Sequence, residues 1–174
     1  MTGSMVKSLS GPQAFARIAG LADVLIDCVH NGASVSFMAP LSREKAEAFW
    51  RVVAEEVAQG ARILLVAEEA ETGEILGTAQ LILEQPENQP HRADLAKMLV
   101  RSAARRRGIG AALMRAAEDA ARRAGKTLLV LDTASPEAER LYERSGWIRV
   151  GSVPGYALLP DGNPCETAYY YRQL

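Results

Sequence analysis

The sequence has few cysteines and no long apolar run, the features that are typical of disulfide-linked, metal-bound and membrane proteins. Two cysteines occur among its 174 residues, Cys28 and Cys165, and two scattered cysteines form neither a disulfide framework nor a metal site. We therefore expect free thiols in a reducing cytoplasm, and no metal ion. No apolar run approaches the roughly 20 residues that a membrane-spanning helix needs, so no membrane partner is expected.

The chain also lacks an excess of charge of either sign. Its formal net charge is -1 at pH 7, which argues against a general nucleic-acid-binding protein. With 48% hydrophobic and 24% charged residues, the composition is that of an ordinary globular protein. The length suits a single domain. We place that domain at residues 5–174, because residues 1–4 resemble the remnant of an expression tag.

One stretch departs from this balance, the three arginines at 105–107 followed by Gly108 and Gly110. Residues 93–100 before it are typical of a strand, and residues 111–124 after it are typical of an amphipathic helix. A helix N-terminus offers free N–H groups and partial positive charge, and glycines let an anion approach the backbone. We therefore predict a phosphate or pyrophosphate site here. The alternative is a solvated basic loop.

Hydrophobic periodicity predicts a mixed α/β fold with one central sheet. The first two strands are separated only by a turn and should form an antiparallel hairpin. The third and fourth are joined through a helix, which requires parallel pairing. A long turn-rich loop is expected at 153–164. The predicted helices cover 11–30, 43–59, 111–124 and 136–145, and the predicted strands cover 63–68, 75–83, 92–100, 127–132, 147–152 and 167–172.

Three motifs together resemble the GNAT superfamily of N-acetyltransferases. They are Met98-Leu99-Val100, Arg105-x-x-Gly108-x-Gly110 and Ala138-x-x-Leu141-Tyr142-x-x-x-Gly146-Trp147. The resemblance implies the GNAT fold, a central mixed sheet flanked by helices, with acetyl-CoA as the acetyl donor. It places the pantetheine arm along the first motif and the pyrophosphate on the second. The residues implied to bind the donor are Met98, Leu99, Val100, Arg105, Arg106, Arg107, Gly108, Ile109, Gly110, Ala111, Ser135 and Ala138.

Further stretches resemble more closely the tabtoxin-resistance type of acetyltransferase within this superfamily, which inactivates a β-lactam amino-acid toxin. These stretches are 30–38, 91–94, 131–133 and 154–156. The resemblance implies a primary amine of a small molecule, such as a toxin or antibiotic, as the acceptor, with His30 and Asn31 binding it. At Asp94 the chain departs from this type, which carries a glutamate. The shorter carboxylate would need a bridging water to reach the amine.

The expected reaction requires a base and an acid. An ammonium has no lone pair, so a base must remove its proton before it attacks the thioester. Asp94 and Asp132 are the candidate bases, and as anions they could instead hold the ammonium in place. Tyr142 is the candidate acid, because a phenol of pKa about 10 suits a departing thiolate of pKa about 8.5–10. Each candidate also has a purely structural interpretation. Asp94 could be a solvated carboxylate at a strand edge, Asp132 and His30 could be helix caps, and Tyr142 could be a core residue.

Two other functions fit the same sequence. A protein N-terminal acetyltransferase would need an open groove for a peptide, whereas the loops at 31–40 and 153–164 suit a small covered site. A non-catalytic acyl-CoA-binding module would use the same fold without transfer. No nucleic-acid partner is predicted. A monomer and a homodimer stay equally open, because the final strand could pair within the chain or with a second subunit.

Overall fold

A computed structural model describes residues 4–174 of the chain. Its strands are β1 (Ser4–Leu9), β2 (Arg62–Glu69), β3 (Ile75–Ile82), β4 (Arg92–Val100), β5 (Leu128–Thr133), β6 (Ile148–Leu158) and β7 (Pro164–Gln173). Its helices are α1 (Gly11–Ala16), α2 (Ile18–His30), α3 (Arg43–Ala58), α4 (Ile109–Arg123) and α5 (Pro136–Arg144), with a 3₁₀ turn at Ser102–Ala104. Residues 1–3 of the predicted tag remnant lie outside the described part, and Ser4 begins β1.

The seven strands form one sheet in the order β1-β2-β3-β4-β5-β7-β6. All neighbouring strands are antiparallel except β4 and β5, which are parallel and are joined through α4. The structure therefore confirms the predicted mixed α/β sheet, the hairpin of β2 with β3 and the βαβ unit. Within the described residues, no helix has the length and apolar character needed to cross a membrane.

The N-terminal part differs from the sequence prediction in two ways. No strand was predicted before Ser10, but β1 pairs with β2 at the edge of the sheet. The predicted first helix is divided at Arg17, whose backbone leaves the helical region (φ -113°, ψ 10°). The Arg17 guanidinium forms a 2.6 Å ion pair with the buried carboxylate of Glu68 and also donates to the carbonyl of Gly73. These tertiary contacts, which local sequence does not encode, fix the chain direction between α1 and α2.

The C-terminal hairpin is longer than predicted. The predicted loop at 153–164 is wrong in its first half, because β6 continues to Leu158. The pairing of β6 with β7 is irregular between Val153 and Ala157, where Pro154 and Gly155 indicated a loop. Since β6 is an edge strand, a proline there leaves no ladder partner unsatisfied, and a bulge accommodates the extra residues.

The sheet separates two apolar clusters. On one face, Leu113 and Met114 of α4 pack against the sheet together with Trp147 and Tyr170. On the other face, residues of α2 and α3, including the fully buried Trp50, pack against the opposite side of the same strands. Because both faces are covered, the edges and strand ends are the places where a ligand can reach the backbone.

Strand β4 contains a bulge. Its register with β3 sets Lys97 and Met98 together opposite the single residue Ala79. Lys97 lies in the left-handed region of backbone space, with φ 47°. Its carbonyl accepts a 2.9 Å hydrogen bond from the hydroxyl of the buried Thr78. The Thr78 side chain therefore supplies a hydrogen bond at the point where the ladder is interrupted.

The bulge reverses which residues of β4 face each cluster. Before it, Ala93 and Leu95 belong to the cluster on the α4 side, and after it Leu99 belongs to the cluster of α2 and α3. In a regular strand these odd-numbered residues would share one face. Met98 and Val100 consequently pack on the α4 side. Residues 92–100 were predicted as a strand, which is confirmed, but the bulge within it was not predicted.

Substitution of Gly77 on β3 tests how closely β3 and β4 are packed. A Cβ at this position would lie 2.6 Å from the carbonyl oxygen of Leu99, so Gly77→Ala must push the two strands apart. We expect it to lower the free energy of unfolding by about 1–3 kcal/mol in urea denaturation. The control is Gly151→Ala, whose Cβ would meet no atom within 4 Å. A loss in the control as large as that of Gly77→Ala would contradict the packing argument.

Candidate active site

Strands β4 and β5 separate part-way along their length. Their parallel pairing covers three residue pairs, Arg92 with Leu128, Ala93 with Leu129 and Asp94 with Val130. Beyond these pairs β4 stays bonded to β3 on one edge only. The free edge of an unpaired strand offers N–H and C=O groups to an extended ligand. Met98, Leu99 and Val100, which are implied to pair with the donor, lie on this free stretch.

The loop that leads into α4 lies at the open end of this cleft. A Cβ on Gly110 would lie 3.1 Å from Leu141 Cδ2 and 4.0 Å from Val100 Cγ2, so the first turn of α4 lies between β4 and α5. Gly108 precedes the helix with φ 79°, a conformation that glycine adopts without steric cost.

The N-terminus of α4 is suited to an anion. Among the described residues, no side chain caps this helix, and its first turn holds no acidic residue. The N–H groups of Ile109, Gly110 and Ala111 are therefore free to bind a negatively charged group. A Cβ on Gly108 would meet no atom within 4 Å, so the space beside the loop is open. These features fit the pyrophosphate of the expected donor.

The three arginines of this loop have different partners. Arg105 Nε donates to the carbonyl of Val100 at 3.4 Å, and Arg107 forms a 3.0 Å ion pair with Glu69. The guanidinium of Arg106 forms no ion pair within residues 4–174, and its backbone is left-handed with φ 62°. Arg105 likewise forms no ion pair with the described residues, so the charges of Arg105 and Arg106 are free for a ligand, whereas that of Arg107 is paired.

Asp132 lies at the end of β5 and borders a cavity of about 340 Å³. Its Oδ2 accepts a 2.7 Å hydrogen bond from the hydroxyl of Thr167 on β7. Its Oδ1 has no hydrogen-bond partner in the described part of the chain. Asp132 does not cap α5, because Ser135 does so, with its hydroxyl accepting from the N–H of Ala138 at 3.2 Å. The Asp132 carboxylate is therefore fixed through one oxygen and open through the other.

The cavity lies between the loop after α2 and the β6–β7 hairpin. The Ser34 hydroxyl donates to the carbonyl of Leu158 at 3.3 Å, and the Ala39 N–H donates to the carbonyl of Pro160 at 3.0 Å. These bonds join the two segments that were predicted to cover a small site. The lining residues are Ser34, Ser36, Phe37, Met38, Asp132, Thr133, Ala134, Tyr156, Ala157, Leu158 and Thr167.

Asp94, the other candidate base, is held by two neighbours. The Arg92 guanidinium pairs with its Oδ1, and the Gln85 side-chain amide donates to its Oδ2 at 3.3 Å. Arg92 also donates to the Gln85 side chain, which closes this group of three. Asp94 is not among the residues that line the cavity beside Asp132. Both of its oxygens are thus engaged, in contrast to those of Asp132.

Tyr142 lies on α5 within the cluster on the α4 side, with 4% of its surface exposed. Its ring centroid is 5.9 Å from that of Trp147 and 5.8 Å from that of Tyr170. Burial, and to a lesser extent the negative charge of Asp132, raises the pKa of Tyr142 well above the ordinary value of a phenol. The ring of Tyr142 therefore packs in the core, as the structural alternative for this residue predicted. Its hydroxyl makes no hydrogen bond with any other residue in 4–174 and keeps its proton.

His30 and Asn31, implied by resemblance to bind the acceptor, terminate α2. His30 Nε2 accepts a 3.1 Å hydrogen bond from the N–H of Leu41, and the Asn31 amide donates to the carbonyl of Asp27 at 2.8 Å. Neither residue lines the cavity, whereas the loop that follows them does. Asn31 therefore caps the end of α2, whereas His30 joins α2 to the segment before α3.

Several residues that position the site were not predicted. Asp27 accepts from both the N–H (2.6 Å) and the hydroxyl (2.7 Å) of Ser102, which ties the turn after β4 to α2. Thr167 holds Asp132, and Thr78 supports the bulge at Lys97. In the sequence these are ordinary polar residues of a helix or strand. Only the partner across the fold shows what each one does.

The pKa of Tyr142 can be tested by absorbance. Because burial and the charge of Asp132 raise this pKa, Tyr142 should stay protonated at about pH 10, where exposed tyrosines ionise. We expect wild type and Tyr142→Phe to develop the same tyrosinate absorbance up to that pH. Loss of the signal of one tyrosinate in the variant would show that Tyr142 ionises normally. Circular dichroism at the same pH values controls for unfolding.

Comparison with known proteins agrees with this architecture. Similar solved structures include an N-acetyltransferase from Staphylococcus aureus, with 19% identity, 99% of each chain covered and a TM-score of 0.79. A ribosomal-protein-alanine N-acetyltransferase from Brucella melitensis has 20% identity over 98% of this chain and 99% of that chain, with a TM-score of 0.79. A phosphinothricin acetyltransferase from Sinorhizobium meliloti, solved with acetyl-CoA, has 19% identity over 100% of this chain and 89% of that chain, with a TM-score of 0.80.

These structures show a shared fold, and their differing acceptors show that the fold does not determine the acceptor. The family comparison is more direct. Residues 29–147, more than half of the chain, match the acetyltransferase (GNAT) family. This match agrees with the predicted fold, enzyme class and acetyl-CoA donor, and we conclude that the chain belongs to the acetyltransferase (GNAT) family.

Proposed function

We propose that the chain transfers the acetyl group of acetyl-CoA to a primary amine of a small molecule. Three features of the structure support this proposal. These are the free edge of β4, the uncapped N-terminus of α4 and the cavity that Asp132 borders. An extended donor with a pyrophosphate suits the first two features, and a cationic amine suits the third.

Acetyl-CoA supplies an acetyl thioester when it is bound. The backbone N–H groups of 109–111 and the Arg106 guanidinium would hold its pyrophosphate, and such charge-assisted hydrogen bonds contribute roughly 1.5–3 kcal/mol each. The backbone of 98–100 would pair with its pantetheine arm. Ser135 and Ala138 are proposed to lie beside the donor through packing contacts, since the Ser135 hydroxyl caps α5 and the N–H groups of both residues already have partners.

Asp132 is the proposed base for the acceptor. Its Oδ1 is free to accept the proton of the ammonium, while Thr167 holds Oδ2. Asp94 is the weaker candidate, because both of its oxygens are already bonded to Arg92 and Gln85. The role of Asp94 is then to hold Arg92 beside the start of the parallel strand pair.

Tyr142 is the proposed donor of a proton or hydrogen bond to the departing sulfur. Its raised pKa means that the phenol is protonated throughout the physiological range. The same shift makes Tyr142 a weaker acid than an exposed tyrosine, so hydrogen bonding to the thiolate is the larger part of its contribution. A carboxylate with one free oxygen, and a protonated phenol whose pKa its charge raises, favour an enzyme over a non-catalytic binding module.

The size of the cavity favours a small acceptor. Its volume of about 340 Å³ is at the lower end of the range for small-molecule sites. Hydrogen bonds from Ser34 and Ala39 to the β6–β7 hairpin join the two segments that enclose the cavity. This connection leaves little room for a peptide. We include tabtoxin-like β-lactam amino acids among the acceptors to be tested, and we expect a cytoplasmic enzyme, as a monomer or a homodimer.

The proposal is tested by thiol release from acetyl-CoA in the presence of candidate acceptors. The panel contains amino acids, β-lactam amino acids, polyamines, aminoglycosides and short peptides. We expect release with a small amine. We also expect a fall in turnover of roughly 10- to 100-fold in Tyr142→Phe, the loss typical of a hydrogen bond to a charged group, with the thermal shift caused by acetyl-CoA unchanged. Release with peptides alone would instead support a protein acetyltransferase. A thermal shift with no release from any acceptor would favour the binding module.

The choice between the two carboxylates gives a separate prediction. An amide cannot take a proton from the ammonium, so Asp132→Asn should lower kcat/KM by roughly 10²- to 10⁴-fold. Asp94→Asn, which changes the charge equally at a site already occupied by Arg92, should lower it by less than about tenfold. Thermal melts confirm folding of both variants. A larger loss in Asp94→Asn would assign the base to Asp94.

A further inference from the structure

The side chain of Lys97 is a cation without a carboxylate partner. Its Nζ donates to the Ser36 hydroxyl at 3.3 Å and lies 5.7 Å from the ring centroid of Phe49. Within residues 4–174 it forms no ion pair. An ammonium has three N–H donors, so one weak hydrogen bond and one aromatic face leave it incompletely satisfied in a half-buried position.

The backbone at both ends of this hydrogen bond is unusual. Lys97 has φ 47° and Ser36 has φ 76°, and left-handed backbone is costly for residues other than glycine and asparagine. Strain of this kind persists where the surrounding structure enforces it, often at ligand sites. A glycine at position 97 would adopt this backbone without strain, whereas the lysine adds a cation there.

The charges around Lys97 show which ligand group would suit it. Arg62, the neighbouring cation, is already bonded to Glu56 and Gln80. Burial and the charge of Arg62 lower the pKa of Lys97, whereas the charge of Asp132 raises it. The negative charge of Asp132 thus acts on Lys97, although the two side chains form no ion pair among the described residues. Ser36, which Lys97 contacts, lines the same cavity as Asp132.

We propose that Lys97 binds the acidic group of an acceptor that carries both an amine and a carboxylate, while Asp132 faces the amine. This inference rests on the proposed function and specifies its acceptor as an amino acid or an amino-acid analogue. Lys97 does not itself line the cavity, but its Nζ donates to the Ser36 hydroxyl, which does. An acceptor that replaces Ser36 as the partner of this ammonium would have a cation for its carboxylate and Asp132 for its amine. A polyamine would instead place a second positive charge near Lys97, which is unfavourable.

The experiment compares matched acceptors in the thiol-release assay. Each amino acid is tested beside its carboxamide and the corresponding amine without the carboxyl group. In wild type we expect kcat/KM to be highest for the free acid of the best acceptor. Lys97→Met should raise KM for that acid by roughly 10- to 100-fold, the loss typical of a hydrogen bond to a charged group. The KM values for the carboxamide and for acetyl-CoA should change by less than about twofold.

Two further variants control for structure and for general charge. Lys97→Arg should recover most of the affinity for the acid, because it restores the cation. Lys45→Met removes an exposed lysine that lies 5.9 Å from the ring of Phe37, and it should leave the preference for the acid unchanged. Met and Lys have similar steric costs in a left-handed backbone conformation, so the Lys97→Met variant should keep the wild-type fold. Its melting temperature tests this expectation.

The outcomes separate this inference from the proposed function. Acetylation of carboxamides or plain amines as readily as acids, with no effect of Lys97→Met on the acid alone, would overturn the role of Lys97 and leave a small-molecule acetyltransferase. Equal losses for acid and carboxamide in Lys97→Met would show a structural role and would also overturn it. Acetylation of peptides only, or of no acceptor at all, would overturn the small-molecule acceptor and this inference together.

Discussion

A β-strand whose one edge is paired and whose other edge is free is the constraint on which this site depends. Strand β4 stays bonded to β3 along its length but leaves β5 after three residue pairs. Unpaired backbone groups are costly when they are buried away from water, so the free edge must face either solvent or a ligand. The bulge at Lys97 and Met98, supported by the Thr78 hydroxyl, turns the side chains beyond it and shapes this edge.

The strained backbone positions of the described residues lie in the segments that are proposed to form the site. Three non-glycine residues within 4–174 have clearly positive φ, namely Ser36, Lys97 and Arg106. Ser36 lines the acceptor cavity, Lys97 forms the bulge, and Arg106 lies in the loop before α4. Each such position costs of order 1–3 kcal/mol, which the two apolar clusters on either side of the sheet offset. The two packed apolar clusters are thus combined with strained backbone in the segments where binding and transfer are proposed to occur.

Local signals predicted the fold well, whereas tertiary contacts decided what was missed. Glycines, caps and hydrophobic periodicity are encoded within a few residues, and they predicted the hairpin, the βαβ unit and the loop before α4. Strand β1 and the break at Arg17 depend on contacts with β2 and the turn after it, such as that with Glu68. The greater freedom of Asp132 compared with Asp94 likewise depends on Thr167 and Arg92, which no local pattern relates to them.

Hydrogen–deuterium exchange of the backbone amides, with and without acetyl-CoA, tests the central claim most directly. If the free edge of β4 and the N-terminus of α4 hold the donor, exchange should slow at 109–111 and at those amides of 98–100 that point away from β3, because these N–H groups become hydrogen-bonded. Slower exchange confined to other segments, in a protein that binds acetyl-CoA, would contradict this account.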